Sequence, residues 1–216
     1  MYTGEGKGLS IKGVVFDMDG TITECDVDFE AIRREANVPK VPILEYMEGL
    51  EERRRREVLT VLERHEARAA GSSRLRKGVV EVLEALKRKG IKTALLTRNS
   101  RRSAETTLKR HNLRFDVVVS RDDAPPKPSP KPVLLISKKL GLKPEELLVV
   151  GDFHFDVQAG RAAGARTAFL LNSTYHPPQD ADYHLHSLEE LLQIVENPPS
   201  LRSAQGRPLG RVGTSE

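Results

Sequence analysis

Short apolar runs alternate with amphipathic stretches along most of the chain. Runs of four to six residues, rich in Val, Ile and Leu, predict buried strands; they are residues 11–16, 91–96, 115–119, 147–150 and 167–171. Stretches with helical spacing follow them, several stopped by glycine; they are residues 79–89, 103–111, 133–140, 156–163 and 188–195. This alternation predicts an α/β fold with a doubly wound parallel sheet covered by helices on both faces.

The composition changes twice along the chain. From residue 29 to about residue 70 it is rich in Glu, Arg, Leu and Ala, and Ile43, Met47, Val58 and Leu62 recur at helical spacing, with Pro42 where a helix can begin. From residue 197 onward Pro, Gly, Ser and Arg dominate and the periodicity ends. We therefore predict a core formed by residues 11–23 and 77–196, a small helical insert at residues 24–76, and a mobile tail at residues 197–216.

The charge balance is mildly basic, with 35 Lys and Arg against 31 Asp and Glu and a net charge of +4. The most basic run, residues 53–56, is bracketed by Glu51, Glu52 and Glu57, so we interpret it as a solvated helix face and expect no nucleic-acid binding. A single cysteine, Cys25, excludes an intramolecular disulfide framework and is interpreted as structural. No apolar stretch reaches the roughly 20 residues of a membrane span, and a cytoplasmic protein is expected.

Three predicted strands end in polar residues. Asp17 and Asp19 follow the strand at 11–16, Thr97 follows the strand at 91–96, and Asp152 follows the strand at 147–150. Because the carboxyl ends of parallel strands meet at one edge of a sheet, these side chains are expected to share one pocket. Carboxylates with a hydroxyl group are ligands suited to a hard cation and a phosphate.

These motifs together resemble the haloacid dehalogenase superfamily. Residues 17–23, Asp-Met-Asp-Gly-Thr-Ile-Thr, resemble its first motif, Thr97 its second, Lys127 before Pro-Ser-Pro its third, and residues 151–156, Gly-Asp-Phe-His-Phe-Asp, its fourth. The resemblance covers nearly everything from residue 11 to about residue 195, and it is closest to the phosphoglycolate-phosphatase-like branch, in which a helical cap lies between the first two motifs. It implies a phosphatase acting on small phosphorylated metabolites.

The resemblance also implies a role for each motif. Asp17 is expected to be the nucleophile that forms an aspartyl-phosphate, and Asp19 the acid and base. Lys127 is expected to keep Asp17 ionised and, with Thr97, to contact the phosphoryl oxygens. A carboxylate at position 19 favours phosphate transfer over dehalogenation, because a halide leaves without a proton.

The implied cofactor is Mg²⁺, held by Asp17, Asp152 and the backbone carbonyl of Asp19. Asp156 is expected in the surrounding layer, orienting Lys127 or a metal-bound water. The residues expected around the substrate are Met18, Gly20, Arg98 and Asn99.

Several alternatives stay open at this point. A phosphomutase on the same core, or a non-catalytic regulatory binding module, would share these motifs. Lys131 is a weaker candidate than Lys127, His154 is a candidate for the pocket wall, and His184 with His186 form a weak candidate metal pair. The short insert predicts an open site that accepts several small metabolites. A monomer or homodimer is expected, with lid motion about residues 24–29 and 71–77.

Overall fold

The computed structural model of the chain describes residues 10–24, 27–172 and 176–197. The interpretation of Cys25 and nearly all of the predicted tail, residues 198–216, lie outside the described residues. Within the described part, no helix is both long enough and apolar enough to cross a membrane.

Six parallel strands form one sheet, in the order β3-β2-β1-β4-β5-β6. Their bounds are β1 Gly13–Phe16, β2 Lys92–Leu96, β3 Val117–Val119, β4 Leu147–Gly151, β5 Arg166–Leu170 and β6 Tyr183–Leu185. The predicted doubly wound parallel sheet is therefore confirmed. The sequence predicts the first five strands; β6 is an additional edge strand of only three residues, whose pattern is too short to identify.

Eight α-helices are present among the described residues. Their bounds are α1 Phe29–Glu35, α2 Ile43–Glu48, α3 Glu52–Ser72, α4 Val79–Arg88, α5 Arg101–Arg110, α6 Lys131–Leu140, α7 His154–Ala162 and α8 Leu191–Glu196. The helix predicted at 103–111 begins earlier because Ser100 caps it by accepting the backbone N–H of Ser103. The helix predicted at 188–195 begins as a 3₁₀ turn, Leu188–Glu190.

The four central strands, β2, β1, β4 and β5, are almost entirely buried. Successive residues of β1 point into two different apolar clusters. Val14 and Phe16 of β1 pack with residues of α4, α5 and α8, whereas Val15 packs with residues of α6 and α7. This alternation follows from the two-residue period of a strand. The sheet is consequently a rigid layer between two helical layers, and its edges carry the loops that form the site.

The helices α1, α2 and α3 enclose a third apolar cluster, which includes Ile32, Ile43, Val58 and Leu62. The two segments that connect these helices to the sheet pair with each other. The Glu24 N–H donates to the carbonyl of Arg74 (2.9 Å), and the Arg76 N–H donates to the carbonyl of Ile22 (3.0 Å). The division into core, insert and tail stays a prediction.

The basic run at the start of α3 is paired on its own helix. Glu57 contacts Arg53 and Arg54, and Glu52 contacts Arg55 and Arg56, at distances of 2.8–3.9 Å. Most of these side chains are solvent-exposed, so each pair contributes little to stability. The predicted solvated helix face is confirmed for Arg53 and Arg56. Arg54 and Arg55 are half-buried, and they also donate to the backbone carbonyls of Ala36 and Met47.

Candidate active site

The carboxyl ends of β1, β2 and β4 bring three motifs together. Strand β1 lies between β2 and β4, so Asp17, Thr97 and Asp152 leave the sheet side by side. The backbone N–H of Asp17 donates to the carbonyl of Val150 (2.9 Å), which extends the ladder to the first motif residue. This order places the site at the edge where open parallel sheets bind ligands.

Lys127 joins this group from the loop before α6 and is almost completely buried. Its ammonium group donates to Asp17 Oδ1 (2.5 Å), Asp156 Oδ1 (2.5 Å) and the carbonyl of Leu96 (3.2 Å). Burial lowers the pKa of Lys127, but the charges of Asp156 and Asp17 outweigh it and raise that pKa above its ordinary value. Lys127 is therefore a fixed positive charge that orients Asp17.

Three carboxylates crowd the same place. One oxygen from each of Asp17, Asp152 and Asp156 lies within 4.8 Å of the others. Burial and the neighbouring acidic charges raise the pKa of Asp17 to about 6 and that of Asp152 to about 8. Such a cluster of hard oxygen donors fits a divalent cation such as Mg²⁺, which would offset the repulsion among the carboxylates.

Gly20 lets the first motif turn sharply over Asp152. Its φ is +86°, and a Cβ atom placed on it would lie 2.2 Å from Asp152 Oδ2. The turn is closed by the N–H groups of Ile22 and Thr23, which both donate to the Met18 carbonyl (2.9 Å each). Only glycine fits this position without displacing the Asp152 carboxylate.

Asp19 lies in the same cavity and is held by an amide. Asn99 Nδ2 donates to Asp19 Oδ2 at 2.7 Å. Burial and then the charge of Asp17 raise the pKa of Asp19 to about 7. A carboxyl with a pKa near neutrality can both give and accept a proton, which is what an acid–base group requires. Asn99, predicted to contact substrate, is placed so that it orients Asp19.

The side chains of Thr97 and Arg98 make different contacts at the site. Thr97 is buried, and its hydroxyl oxygen accepts the N–H of Asn99 (3.1 Å), which leaves its O–H to donate. The Arg98 guanidinium forms a two-pronged pair with Glu45 of α2 (2.9 and 2.7 Å), lies 4.7 Å from the Phe155 ring centre and donates to the Lys127 carbonyl. The Arg98 side chain thus links the insert to the sheet edge.

A cavity of about 290 Å³ lies between the insert and the sheet edge. From the sheet edge it is lined by Asp17, Asp19, Arg98, Asn99, Lys127, Asp152, Phe153, Phe155 and Asp156. From the insert it is lined by Phe29, Arg33, Lys40, Val41, Pro42, Ile43, Leu44, Leu62 and Glu66. Its volume is near the lower limit, roughly 300 Å³, of pockets for small organic ligands.

Two acidic residues of the insert, Glu45 and the cavity residue Glu66, were not singled out from the sequence. Glu45 pairs with Arg98, and the fully buried Glu66 accepts the N–H of Ser100 (3.2 Å) and a hydrogen bond from Arg121 (2.5 Å). A signal for Glu66 existed, because it continues the apolar series of Val58 and Leu62 at a spacing of four residues. An acid on an apolar helix face indicates a buried partner. No such signal marks Glu45.

The weaker candidates lie apart from this cavity. His154 is exposed at the start of α7, while its neighbours Phe153 and Phe155 line the cavity. The ring of His184 contacts the carbonyl of Pro178 (3.2 Å). Among the described residues, the cluster of Asp17, Asp152 and Asp156 is the group of side chains that could hold a metal ion, and neither histidine belongs to it.

Comparison with known proteins gives the same family. Residues 11–164 match the haloacid dehalogenase-like hydrolases. An uncharacterised hydrolase of Saccharomyces cerevisiae is 33% identical over 202 residues, covering 87% of this chain and 92% of the relative. The N-acetylmuramic acid 6-phosphate phosphatase of Pseudomonas aeruginosa is 28% identical over 88% of this chain and 97% of its own.

Among solved structures, a hydrolase from Pseudomonas syringae superposes with a TM-score of 0.73, at 23% identity, over 86% of this chain and 98% of its own. That likeness concerns the fold. The predicted superfamily and the predicted enzyme class, a phosphatase of that superfamily, are confirmed, and the chain belongs to the haloacid dehalogenase-like hydrolases.

Proposed function

We propose that the protein is a Mg²⁺-dependent phosphatase that hydrolyses small phosphomonoesters, phosphoglycolate-like compounds among them, through an aspartyl-phosphate on Asp17. The observation that carries this proposal is the position of the Asp17 carboxylate. It is held by the Lys127 ammonium at 2.5 Å, beside Asp152, at the wall of a cavity of small-metabolite size. A charged nucleophile fixed in this way needs little reorganisation to react.

The metal would be held by Asp17, Asp152 and the backbone carbonyl of Asp19. When bound, it supplies positive charge that reduces the repulsion between the Asp17 carboxylate and a phosphate dianion. Asp156 acts on the site through Lys127, whose ammonium group it contacts at 2.5 Å. The donor set of oxygen atoms supports Mg²⁺ over metals that prefer nitrogen or sulfur.

The chain's own residues would carry the chemistry in two steps. An Asp17 carboxylate oxygen attacks phosphorus, the bond from phosphorus to the ester oxygen breaks, and Asp19 gives its proton to the departing oxygen. Asp19 then takes a proton from a water molecule that attacks phosphorus, which releases phosphate and regenerates Asp17. Lys127 and the Thr97 hydroxyl stabilise the charge on the phosphoryl oxygens, and Asn99 keeps Asp19 in place.

The test is turnover of p-nitrophenyl phosphate with Mg²⁺, with EDTA, and by Asp17→Asn. We expect activity only with the metal, and a loss of at least about a thousandfold in Asp17→Asn, because the amide lacks the nucleophilic oxygen charge. Asp180→Asn, an exposed carboxylate paired with Arg161, is the matched control and should keep full activity. Undiminished turnover by Asp17→Asn, or full turnover in EDTA, would show that the proposed mechanism is wrong.

A further inference from the structure

The part of the cavity wall contributed by the insert is mostly apolar. Phe29 and Val41 are 38% and 41% exposed, and both line the cavity. They are two of the four large apolar residues that are exposed in the described part of the chain; the others, Val80 and Leu134, lie elsewhere. With Pro42, Ile43 and Leu44 beside them, they form a surface that an apolar ligand group would cover.

The insert offers few polar partners to a ligand. Of its nine cavity residues, only Arg33, Lys40 and Glu66 are polar, and Glu66 is already bonded to Ser100 and Arg121. No hydroxyl or amide side chain is among the insert's described lining residues. A sugar phosphate bound here would lose water from its hydroxyl groups without replacing those hydrogen bonds, which is a strong basis for discrimination.

Arg33 carries hydrogen-bonding capacity that is not used. Its Nε is buried without an acceptor among the residues described, while its Nη1 and Nη2 contact Glu30 (3.1 Å) and the Val41 carbonyl (3.5 Å). Lys40, on the same wall, has no carboxylate partner in the described part of the chain. The buried Nε is out of reach of a ligand, but Nη1 and Nη2 each carry two hydrogens and each makes one contact, and the Arg33 side chain is 20% exposed. An anionic ligand group in the cavity would accept from these Nη groups and would be attracted by Lys40.

We propose that this enzyme prefers phosphomonoesters whose organic part is apolar and carries a second anionic group, with Arg33 and Lys40 as the residues that select that group. This inference rests on the proposed function, because it assumes that the phosphoryl group lies at Asp17. Among the small phosphomonoesters of the proposed function, it ranks two classes below such compounds. They are polyhydroxylated sugar phosphates and phosphoglycolate, which carries a second anion but too little carbon to cover the apolar wall.

The first experiment compares kcat/KM for 4-(carboxymethyl)phenyl phosphate and 4-ethylphenyl phosphate. A methylene group separates the carboxylate from the ring, so the two leaving groups are closely matched. We expect the carboxylated ester to be preferred by about ten- to a hundredfold, the range of a hydrogen bond to a charged group. Glucose 6-phosphate and phosphoglycolate are expected below both. Equal values for the two aryl esters, or a higher value for glucose 6-phosphate, would overturn the inference.

Variants test which residues cause the preference for the carboxylated ester. Arg33→Met and Lys40→Met should each reduce the ratio between the two aryl esters, with the larger loss for Arg33→Met. The matched control is Arg34→Met, an exposed residue of the same helix that does not line the cavity, and it should keep the full ratio. Lys40 is exposed, so Lys40→Met tests the idea even if Arg33→Met folds poorly. A ratio unchanged in Lys40→Met and in a folded Arg33→Met would contradict it.

A second pair tests the apolar wall. Val41→Thr adds a hydroxyl at nearly constant shape, and it should lower kcat/KM for 4-ethylphenyl phosphate and raise it for glucose 6-phosphate. Val80→Thr is the control, since Val80 is equally exposed but lies on α4, away from the cavity. Identical substrate profiles for the two variants would count against an apolar binding wall.

Binding measured without turnover separates the two proposals. Calorimetry should show tighter binding of 4-(carboxymethyl)benzylphosphonate than of 4-ethylbenzylphosphonate, and Arg33→Met should remove the difference. This selectivity without any Mg²⁺-dependent turnover would refute the proposed phosphatase mechanism while supporting the anion subsite. Turnover of both aryl esters with no selectivity in either measurement would refute the subsite alone.

Discussion

The ion pair between Glu66 of α3 and Arg121 holds the insert to the sheet edge. Glu66 is 2% exposed, and the Arg121 side chain is 8% exposed. Their contact is 2.5 Å, and Arg121 also donates to the carbonyl of Arg98 (3.1 Å). Arg121→Met keeps the apolar length of the side chain and leaves Glu66 as a buried charge without its partner.

The expected loss is large for a single substitution. Removing one partner of a buried ion pair costs about 3–5 kcal/mol, because the remaining charge is desolvated without compensation. With a denaturant slope of about 2–3 kcal/mol per M in urea, the unfolding midpoint should fall by about 1–2 M. Arg53→Met, which breaks an exposed pair with Glu57, is the matched control and should change stability by less than about 0.5 kcal/mol.

Two further measurements test whether the unpaired charge of Glu66 causes the loss of stability. The double variant Arg121→Met with Glu66→Gln should recover most of the loss, because glutamine is neutral and still accepts the N–H of Ser100. The penalty should also depend on pH. Burial already raises the pKa of Glu66 despite Arg121, and nearby Glu63 raises it further. The pKa of Glu66 in the folded state lies above its unfolded value of about 4.5, so its contribution to stability is full below that value and is lost as pH rises. Arg121→Met should therefore be least destabilised near pH 5.

Urea unfolding followed by circular dichroism measures all of these values. A loss below about 1 kcal/mol in Arg121→Met, or no recovery in the double variant, would refute the view that this pair is buried and fixes the insert.

Three other effects follow from the same structure. Gly20→Ala should lower the melting temperature and abolish turnover, since a positive φ costs about 1–3 kcal/mol and its Cβ would meet Asp152 at 2.2 Å; a fully active, equally stable variant would contradict this. Burial raises the pKa of Asp123, but hydrogen bonds from Arg101 and Ser120 outweigh it and hold that pKa at about 2. Asp123→Asn should therefore cost about 2 kcal/mol near pH 7 and progressively less as pH falls from about 4 to 2; a pH-independent difference would exclude this linkage. Mg²⁺ at a hundredfold excess over its Kd should stabilise the parent by about 3 kcal/mol and so raise its melting temperature, without doing so for Asp152→Asn; an equal response in both would place the ion elsewhere.

The sheet and the motif positions could be predicted from the sequence because they depend on local patterns. Runs such as residues 11–16 are apolar throughout only because both faces of the sheet are covered. Once the strands are known to be parallel, Asp17, Thr97 and Asp152 must share an edge. Strand β6 could not be predicted because three residues are too few to show the two-residue period of a strand.

The cavity wall could not be predicted, because it depends on how the insert sits on the sheet edge. Arg98 precedes Asn99 in sequence, yet Arg98 reaches Glu45 of α2 while Asn99 reaches Asp19. Nothing in the local pattern chooses between these partners, which lie 53 and 80 positions away. Phe29 and Val41 are apolar, so their residue types alone do not distinguish them from buried core residues. Their exposure depends on how the insert lies on the sheet edge.

The central claim is that Asp17 carries the phosphoryl group. The most direct measurement is an acid quench during turnover of an aryl phosphate with Mg²⁺, followed by proteolysis and mass spectrometry with fragmentation across residues 11–23. We expect a phosphoryl group on Asp17 of the parent and on no residue of Asp17→Asn. A phosphoryl group on Asp19, or rapid turnover with the group on another residue, would contradict the account.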